Sequence, residues 1–150
     1  MNKNSMFYWY PKVSTLDIPQ PSTNLVPMTK DEIEKLIEGW RVESSLIDRI
    51  KRTVEKYPVF VRTDLFSAKH MWEKTCYIED ESCIENNIFR LLDAADRIDT
   101  TLIDKGFAVR EFIEMNNVFR LRDWCNMPVN RERRLMVKND EVLKHFPYWY

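Results

Sequence analysis

Glycine is nearly missing from this chain, with two in 150 residues. That excludes a glycine-rich phosphate loop, and with it the P-loop and the Rossmann fingerprint, which need glycine where backbone approaches phosphate. Histidine is equally scarce, limited to His70 and His145, and the three cysteines (Cys76, Cys83, Cys125) lack zinc-ligand spacing. A structural metal site is therefore not expected. No serine or cysteine has an identifiable histidine base, which leaves nucleophilic catalysis without support. A dominant charge sign is also absent: 23 Lys and Arg oppose 24 Asp and Glu, for a net charge of −1. General nucleic-acid or membrane partners demand a basic excess, so neither is expected. No apolar run approaches membrane-spanning length. Free thiols and the lack of an apolar signal segment point to a reducing cytoplasm.

What is present suits a folded core. Apolar residues make up 44% of the chain, and its length fits one domain or two small lobes sharing a cleft. The aromatic run Met6–Tyr10, ended by Pro11, suggests a short strand. Ile18–Thr23 reads as extended, because proline disfavours helix in the residue before it. Thr29 and Glu32 form a capping-box pattern, followed by a helical stripe of Ile33, Leu36, Ile37 and Trp40. Leu46, Ile47, Ile50 and Val54 continue that period in a second helix. Residues 58–64 predict a strand buried on both faces, with Thr75–Ile78 as its hairpin partner. A second capping box spans Ser82 to Glu85, ahead of an amphipathic helix carrying Ile84, Ile88, Leu91, Ala95 and Ile98. A strand is expected over 107–114, then a polar loop over 116–131. Leu135–Val137, a turn at Lys138–Asp140 and a strand near Val142–Leu143 complete an α+β reading in which helices cover an antiparallel sheet.

The most informative stretch is Val59–His70. It sets Arg62 inside an apolar, β-prone run and Lys69 seven residues later, past a small-residue turn. Burying charge among Val and Phe costs several kcal/mol unless something anionic or polar compensates. A phosphate ligand held by Arg62 and Lys69 would do so. Equally, Arg62 could pair with Asp64 while Lys69 is simply solvated. Val109–Ile113 has a similar character: its end could run past an adenine, with Phe112 or Ile113 as an apolar wall, or it could be an ordinary half-buried strand. Glu132 and Arg134 share one face of a strand beginning near Arg131. Arg120, Arg122, Arg131, Arg133 and Arg134 form the most basic region, which could contact RNA or another anionic partner.

Taken in order, these segments resemble the ATP-grasp superfamily, especially its bacterial and phage-type members. Tyr10-Pro11-Lys12 with Ile18–Thr23 resembles the family's "IPxPxT" opening. Val61–Asp64 with Ser67–His70 is similar to its basic strand and phosphate-covering loop. Val109–Ile113 resembles the hinge strand that receives adenine, and Glu132–Val137 the "ExRxFV" strand. The resemblance implies an ATP-grasp-like fold over residues 1–150, divided into an N-terminal segment (1–57), a nucleotide-binding lobe (58–113) and the start of a second lobe (114–150). It implies ATP and magnesium as cofactors and ATP-dependent carboxylate–amine ligation as the activity. Arg62, Lys69, Glu111, Phe112, Ile113 and Glu132 would bind the nucleotide, and Arg134 would be catalytic. Such enzymes carry magnesium ligands on later strands than any present here, so no metal ligand is assigned to this chain. The expectation is a ligase-like portion, with a partner or further chain at the aromatic Tyr148–Tyr150 terminus. The other reading is a non-enzymatic binding or assembly module working through residues 120–134.

Overall fold

Alternation along one strand organises the fold. In strand β2 (Val59–Thr63), Val59, Val61 and Thr63 are buried, whereas Phe60 and Arg62 are half-buried. The expected burial on both faces is thus corrected: helices cover one face, and the other borders a groove. The computed structural model describes residues 2–38, 42–139 and 141–148. Trp40, Asp140, Trp149 and Tyr150, singled out in the sequence, lie outside the described residues.

The architecture is a small α+β fold with antiparallel sheets. Its main sheet joins β1 (Thr23–Pro27), β3 (Tyr77–Ile78) and β4 (Gly106–Glu111) to β2 in the order β1-β4-β2-β3. Every pairing is antiparallel. Val26, Val61, Ile78, Phe107 and Val109 project from one face onto helices α3 (Ser44–Arg52) and α4 (Ile84–Asp96). The predicted spacing of α4 holds: Ile84, Ile88, Leu91 and Ala95 are fully buried. Each buried Ile or Leu contributes about 1.5–3 kcal/mol, so this face dominates the stability. Ile98 lies beyond the last helical turn and is 64% exposed. Helix α2 (Lys30–Ile37) starts with the predicted capping box, in which Thr29 Oγ1 accepts from the Glu32 amide (3.1 Å) and Glu32 Oε2 from the Thr29 amide (2.7 Å).

Four local expectations are corrected. Met6–Tyr10 is not a strand but the body of helix α1 (Met6–Val13), with Pro11 inside it. Ser5 Oγ accepts from the Phe7 amide (3.3 Å), and the Met6 amide donates to the Asp64 carbonyl (3.2 Å). This anchored start overrides the β preference of the aromatics. Residues read as merely extended lead into a true strand, β1, displaced toward Pro27. Asp80, not Ser82, caps the turn before α4, accepting from the Ser82 amide (2.8 Å) and hydroxyl (2.5 Å). The helix itself starts at Ile84, so no Ser82–Glu85 box forms. The supposed loop over 116–131 is a hairpin of β5 (Asn117–Leu121) and β6 (Met127–Asn130), reversed at Cys125 and Asn126, which both have positive φ. The final hairpin is present as expected, β7 (Arg133–Lys138) with β8 (Glu141–Pro147), although its first strand begins at Arg133 rather than Arg131. Among the described residues no helix is long and apolar enough to cross a membrane.

One of the two glycines has a fixed duty. Gly106 opens β4 at φ 140°, where a Cβ would collide with the Val26 carbonyl oxygen and lie 2.9 Å from the Met28 nitrogen. We expect Gly106→Ala to cost about 3 kcal/mol or more, through a disallowed backbone angle and loss of β1–β4 pairing. Urea unfolding of the variant measures this; a loss below about 1 kcal/mol would contradict it.

Candidate functional site

The groove is built on the face of the sheet turned away from α3 and α4. Register places Phe60 opposite Arg110 and Arg62 opposite Ala108. Side chains alternate with period two, so Phe60, Arg62 and Arg110 share that face and the two arginines are diagonal neighbours. Burial depresses the pKa of the Arg62 guanidinium below its usual range, and the positive charge of Arg110 adds to the effect. Burial does the same to Arg110. Among the described residues each makes one hydrogen bond: Arg62 Nε donates to the Thr63 carbonyl (3.0 Å) and Arg110 Nε to Thr23 Oγ1 (3.3 Å). Among the described residues, no ion pair includes Arg62, Arg110 or Lys69.

Asp64, the carboxylate next to Arg62 in sequence, is not its partner. It is fully buried and accepts from the Ser5 hydroxyl (2.5 Å) and from the amides of Asp104 and Lys105 (3.2 Å each). Those bonds tie α1 and the start of β4 to the end of β2. The segment leading to Lys69 is fastened as well. Thr63 Oγ1 accepts from the Phe66 amide (2.8 Å) and donates to the Leu102 carbonyl (2.7 Å). Thr75 Oγ1 donates to the carbonyls of Ala68 (3.0 Å) and Met71 (2.9 Å). Ala68 takes a left-handed conformation (φ 47°), turning the chain into the short helical segment Lys69–Lys74.

A groove of about 1390 Å³ runs over this face, and Arg62, Lys69, Glu111, Phe112, Ile113 and Glu132 all line it. The structure therefore brings together the nucleotide-binding residues expected from the sequence. Arg134 is not among the lining residues. It lies exposed on β7 with its guanidinium 4.2 Å from the centre of the Tyr148 ring, and the Lys69 ammonium stands 5.5 Å from the same ring. Tyr148 is held there by its amide, which donates to the Glu132 carbonyl (3.0 Å). The five arginines of the basic region are spread over two hairpins and the link between them, where Arg131 lies: Arg120 also lines the groove, while Arg133 meets His145 Nδ1 at 2.9 Å.

One wall is aromatic. Trp72 stacks on Tyr77 (5.5 Å between centres), and Phe112 meets Tyr77 edge-on (5.2 Å). Trp72 and Cys76 pack with Met127 and Val129 of β6, a second apolar cluster that seats the β5–β6 hairpin against the sheet. Strand β4 ends at Glu111, whose amide donates to the Ser22 carbonyl (2.8 Å), and residues 112–116 then leave the sheet. Phe112 thus belongs to the wall, and Ile113, half-exposed, to the rim.

Sequence reasoning missed Arg110 and Asn130 in the groove, along with Trp72 and Tyr77 of its aromatic wall. Arg110 was readable, since it is a second cation in an apolar strand, but its register with Arg62 was not. Asn130, buried on β6, gave no local signal. Arg62, Arg110 and Lys69 stand beside the aromatic wall, while Glu55, Glu73, Glu79, Glu111, Glu114 and Glu132 also line the groove, so the cations form a local patch, which together with the wall suits an anion that carries a flat ring. Among the described residues, no three His, Cys, Asp or Glu side chains come together as a metal site. The groove residues therefore do not fit a protein-built magnesium cage. No protein-family model, curated protein or solved structure matches this chain.

Two predictions follow from the electrostatics. Replacing Arg62 or Arg110 by Met removes a desolvated cation and its repulsion, so each variant should melt no lower than the parent, and higher at low salt. A marked drop in melting temperature would mean that the arginines serve packing instead. The second concerns Cys76, whose fully buried thiol is pushed by desolvation up to about 11 from an ordinary value of 9.0. A raised acid pKa stabilises the fold below the unfolded value, and that stability is lost as pH rises from 9 toward 11, at about 1.4 kcal/mol per pH unit. The stability difference between the parent and Cys76→Ala should shrink across that window, and native Cys76 should resist alkylation at pH 8.

Proposed function

We propose that this chain binds a nucleoside triphosphate, ATP, in the groove, as the nucleotide-binding portion of an ATP-grasp-type carboxylate–amine ligase. The observation that carries the reading is the pair of desolvated guanidiniums on adjacent strands, which make no ion pair among the described residues and share a cavity with Lys69 and Phe112. Two half-buried cations that repel each other are an unfavourable arrangement for an empty site and a favourable one for a phosphate chain. Arg62 and Arg110 supply planar forks, and Lys69 a point charge on a loop fixed by Thr63 and Thr75. The segment from Glu111 to Ile113 receives the base, with Phe112 against its plane. The order of these segments along the chain, which resembles the superfamily, supplies the reaction class.

In that reaction a carboxylate oxygen of one substrate attacks the γ-phosphorus. The bond to the bridging oxygen breaks and ADP leaves with its electron pair, giving an acyl phosphate. An amine nitrogen then attacks the acyl carbon, the carbon–oxygen bond to phosphate breaks, and inorganic phosphate departs while the amine proton passes to solvent. The residues of this chain hold the triphosphate in line and neutralise charge that builds on it, a task of positioning and electrostatics. Glu132 stands at the groove where the second substrate would meet the nucleotide. Arg134, stacked on Tyr148, is placed to act only on groups reaching that ring.

Thermal denaturation tests the reading. ATP at a hundredfold excess over its Kd should add about 2.7 kcal/mol of stability, several degrees in melting temperature for a domain of this size. Arg62→Ala and Lys69→Ala should each abolish the shift while remaining folded. No shift of the parent at millimolar ATP, with or without magnesium, overturns the proposal. If an RNA oligomer bound instead, in a salt-sensitive way lost on replacing Arg133 and Arg134 by alanine, the chain would be a non-enzymatic binding module.

A further inference from the structure

Asn130 closes strand β6 with 9% of its surface exposed, and it lines the groove. Its side-chain oxygen Oδ1 is the one buried side-chain polar atom among the described residues without a hydrogen-bond partner. Folded proteins rarely leave such an acceptor dry, and an orphan in a cavity wall is explained when something entering the cavity donates to it. Pro128 and Glu132, two residues to either side, also line the groove, yet proline has no N–H and an ionised carboxylate only accepts. Asn117, opposite Asn130 on β5, and Arg120 carry donors and line the groove, but neither is bonded to Oδ1.

We propose that Asn130 is a specificity-determining residue: Oδ1 accepts a hydrogen bond from a neutral donor on the molecule whose phosphates rest on Arg62, Arg110 and Lys69. This rests on the nucleotide reading above. A nucleotide offers two such donors, its sugar hydroxyls and the exocyclic amine of its base. A cationic amine would be better met by the carboxylates of Glu111 and Glu132, so a carboxamide at this point suits an uncharged partner. Sites that hydrogen-bond a substrate group reject the analogue lacking it, because the buried protein atom is then left unpaired.

The experiment measures Kd for ATP, 2′-deoxy-ATP, 3′-deoxy-ATP and purine riboside triphosphate with the parent, Asn130→Ala and Asn130→Leu. The parent should bind ATP about tenfold more tightly than one of the three analogues, the effect of one neutral hydrogen bond. Discrimination against a deoxy analogue assigns the donor to the sugar, and discrimination against the analogue without the amine assigns it to the base. Both variants should bind ATP and that analogue alike, the coupling expected of a direct contact. Unliganded, they should melt no lower than the parent, since no hydrogen bond of the free protein is lost. Variants that bind ATP as the parent does, with the same ranking of analogues, overturn the role of Asn130 and leave the nucleotide site standing. A fall in the unliganded melting temperature of both variants also overturns it, by making Asn130 a structural residue. A parent that binds no ATP removes both proposals together.

Discussion

The constraint on which this structure turns is the diversion of Asp64. Had that carboxylate lain beside Arg62, the cation would be neutralised within the strand and the sheet face would carry no net field. Instead Asp64 is spent on Ser5, Asp104 and Lys105, on the other side of the β2 terminus. Replacing a carboxylate with this many charged hydrogen bonds would leave several buried donors unpaired, so the diversion is itself enforced by folding. Arg62 keeps one backbone carbonyl and only a longer-range attraction to Asp64, which burial and the repulsion of Arg110 outweigh. A groove that is electrostatically unsatisfied when empty follows from how the strand ends.

Around that unfavourable pair, the rest of the fold is conservative. Helices α3 and α4 bury the opposite sheet face in an apolar cluster with no charged member. The smaller cluster of Trp72, Cys76, Met127 and Val129 seats the β5–β6 hairpin, so the groove has a wall with its own hydrophobic anchor. Loop positions that matter are held by hydroxyls: Thr63 and Thr75 each make two or more bonds to the backbone near Lys69. Preorganisation of this kind lowers the entropy lost when a ligand is bound, because the lysine-bearing segment is already ordered.

The sequence was legible where one local rule decided the outcome. The period of α4 and the Thr29–Glu32 box could be read because helix geometry and capping depend on residues three and four apart. The groove residues could be read because a cation inside an apolar strand is costly enough to need a reason. What failed depended on distant partners. Met6–Tyr10 has strand composition, but the bond from the Met6 amide to Asp64, a residue 58 positions away, fixes a helix start. The β5–β6 hairpin hid behind Arg and Asn because its reversal uses Cys125 and Asn126 at positive φ in place of glycine. Asn130 was invisible for the same reason, since burial of a carboxamide on a strand cannot be known before its neighbours are.

Net charge misleads here in an instructive way. A chain at −1 has no long-range attraction for polyanions, which disfavours nonspecific nucleic-acid binding. Yet Arg62, Lys69, Arg110 and Arg120 all border a single groove. Fields from exposed charges fade within about 8–10 Å at physiological salt, whereas charges in a partly desolvated cleft are screened far less. The close pair Arg62 and Arg110, not the groove's total charge, to which six glutamates also contribute, would therefore act on a ligand small enough to enter the cleft and have little hold on a polymer passing outside it. On the proposed reading, that pair and the aromatic wall beside it would favour a compact anion with a ring to stack.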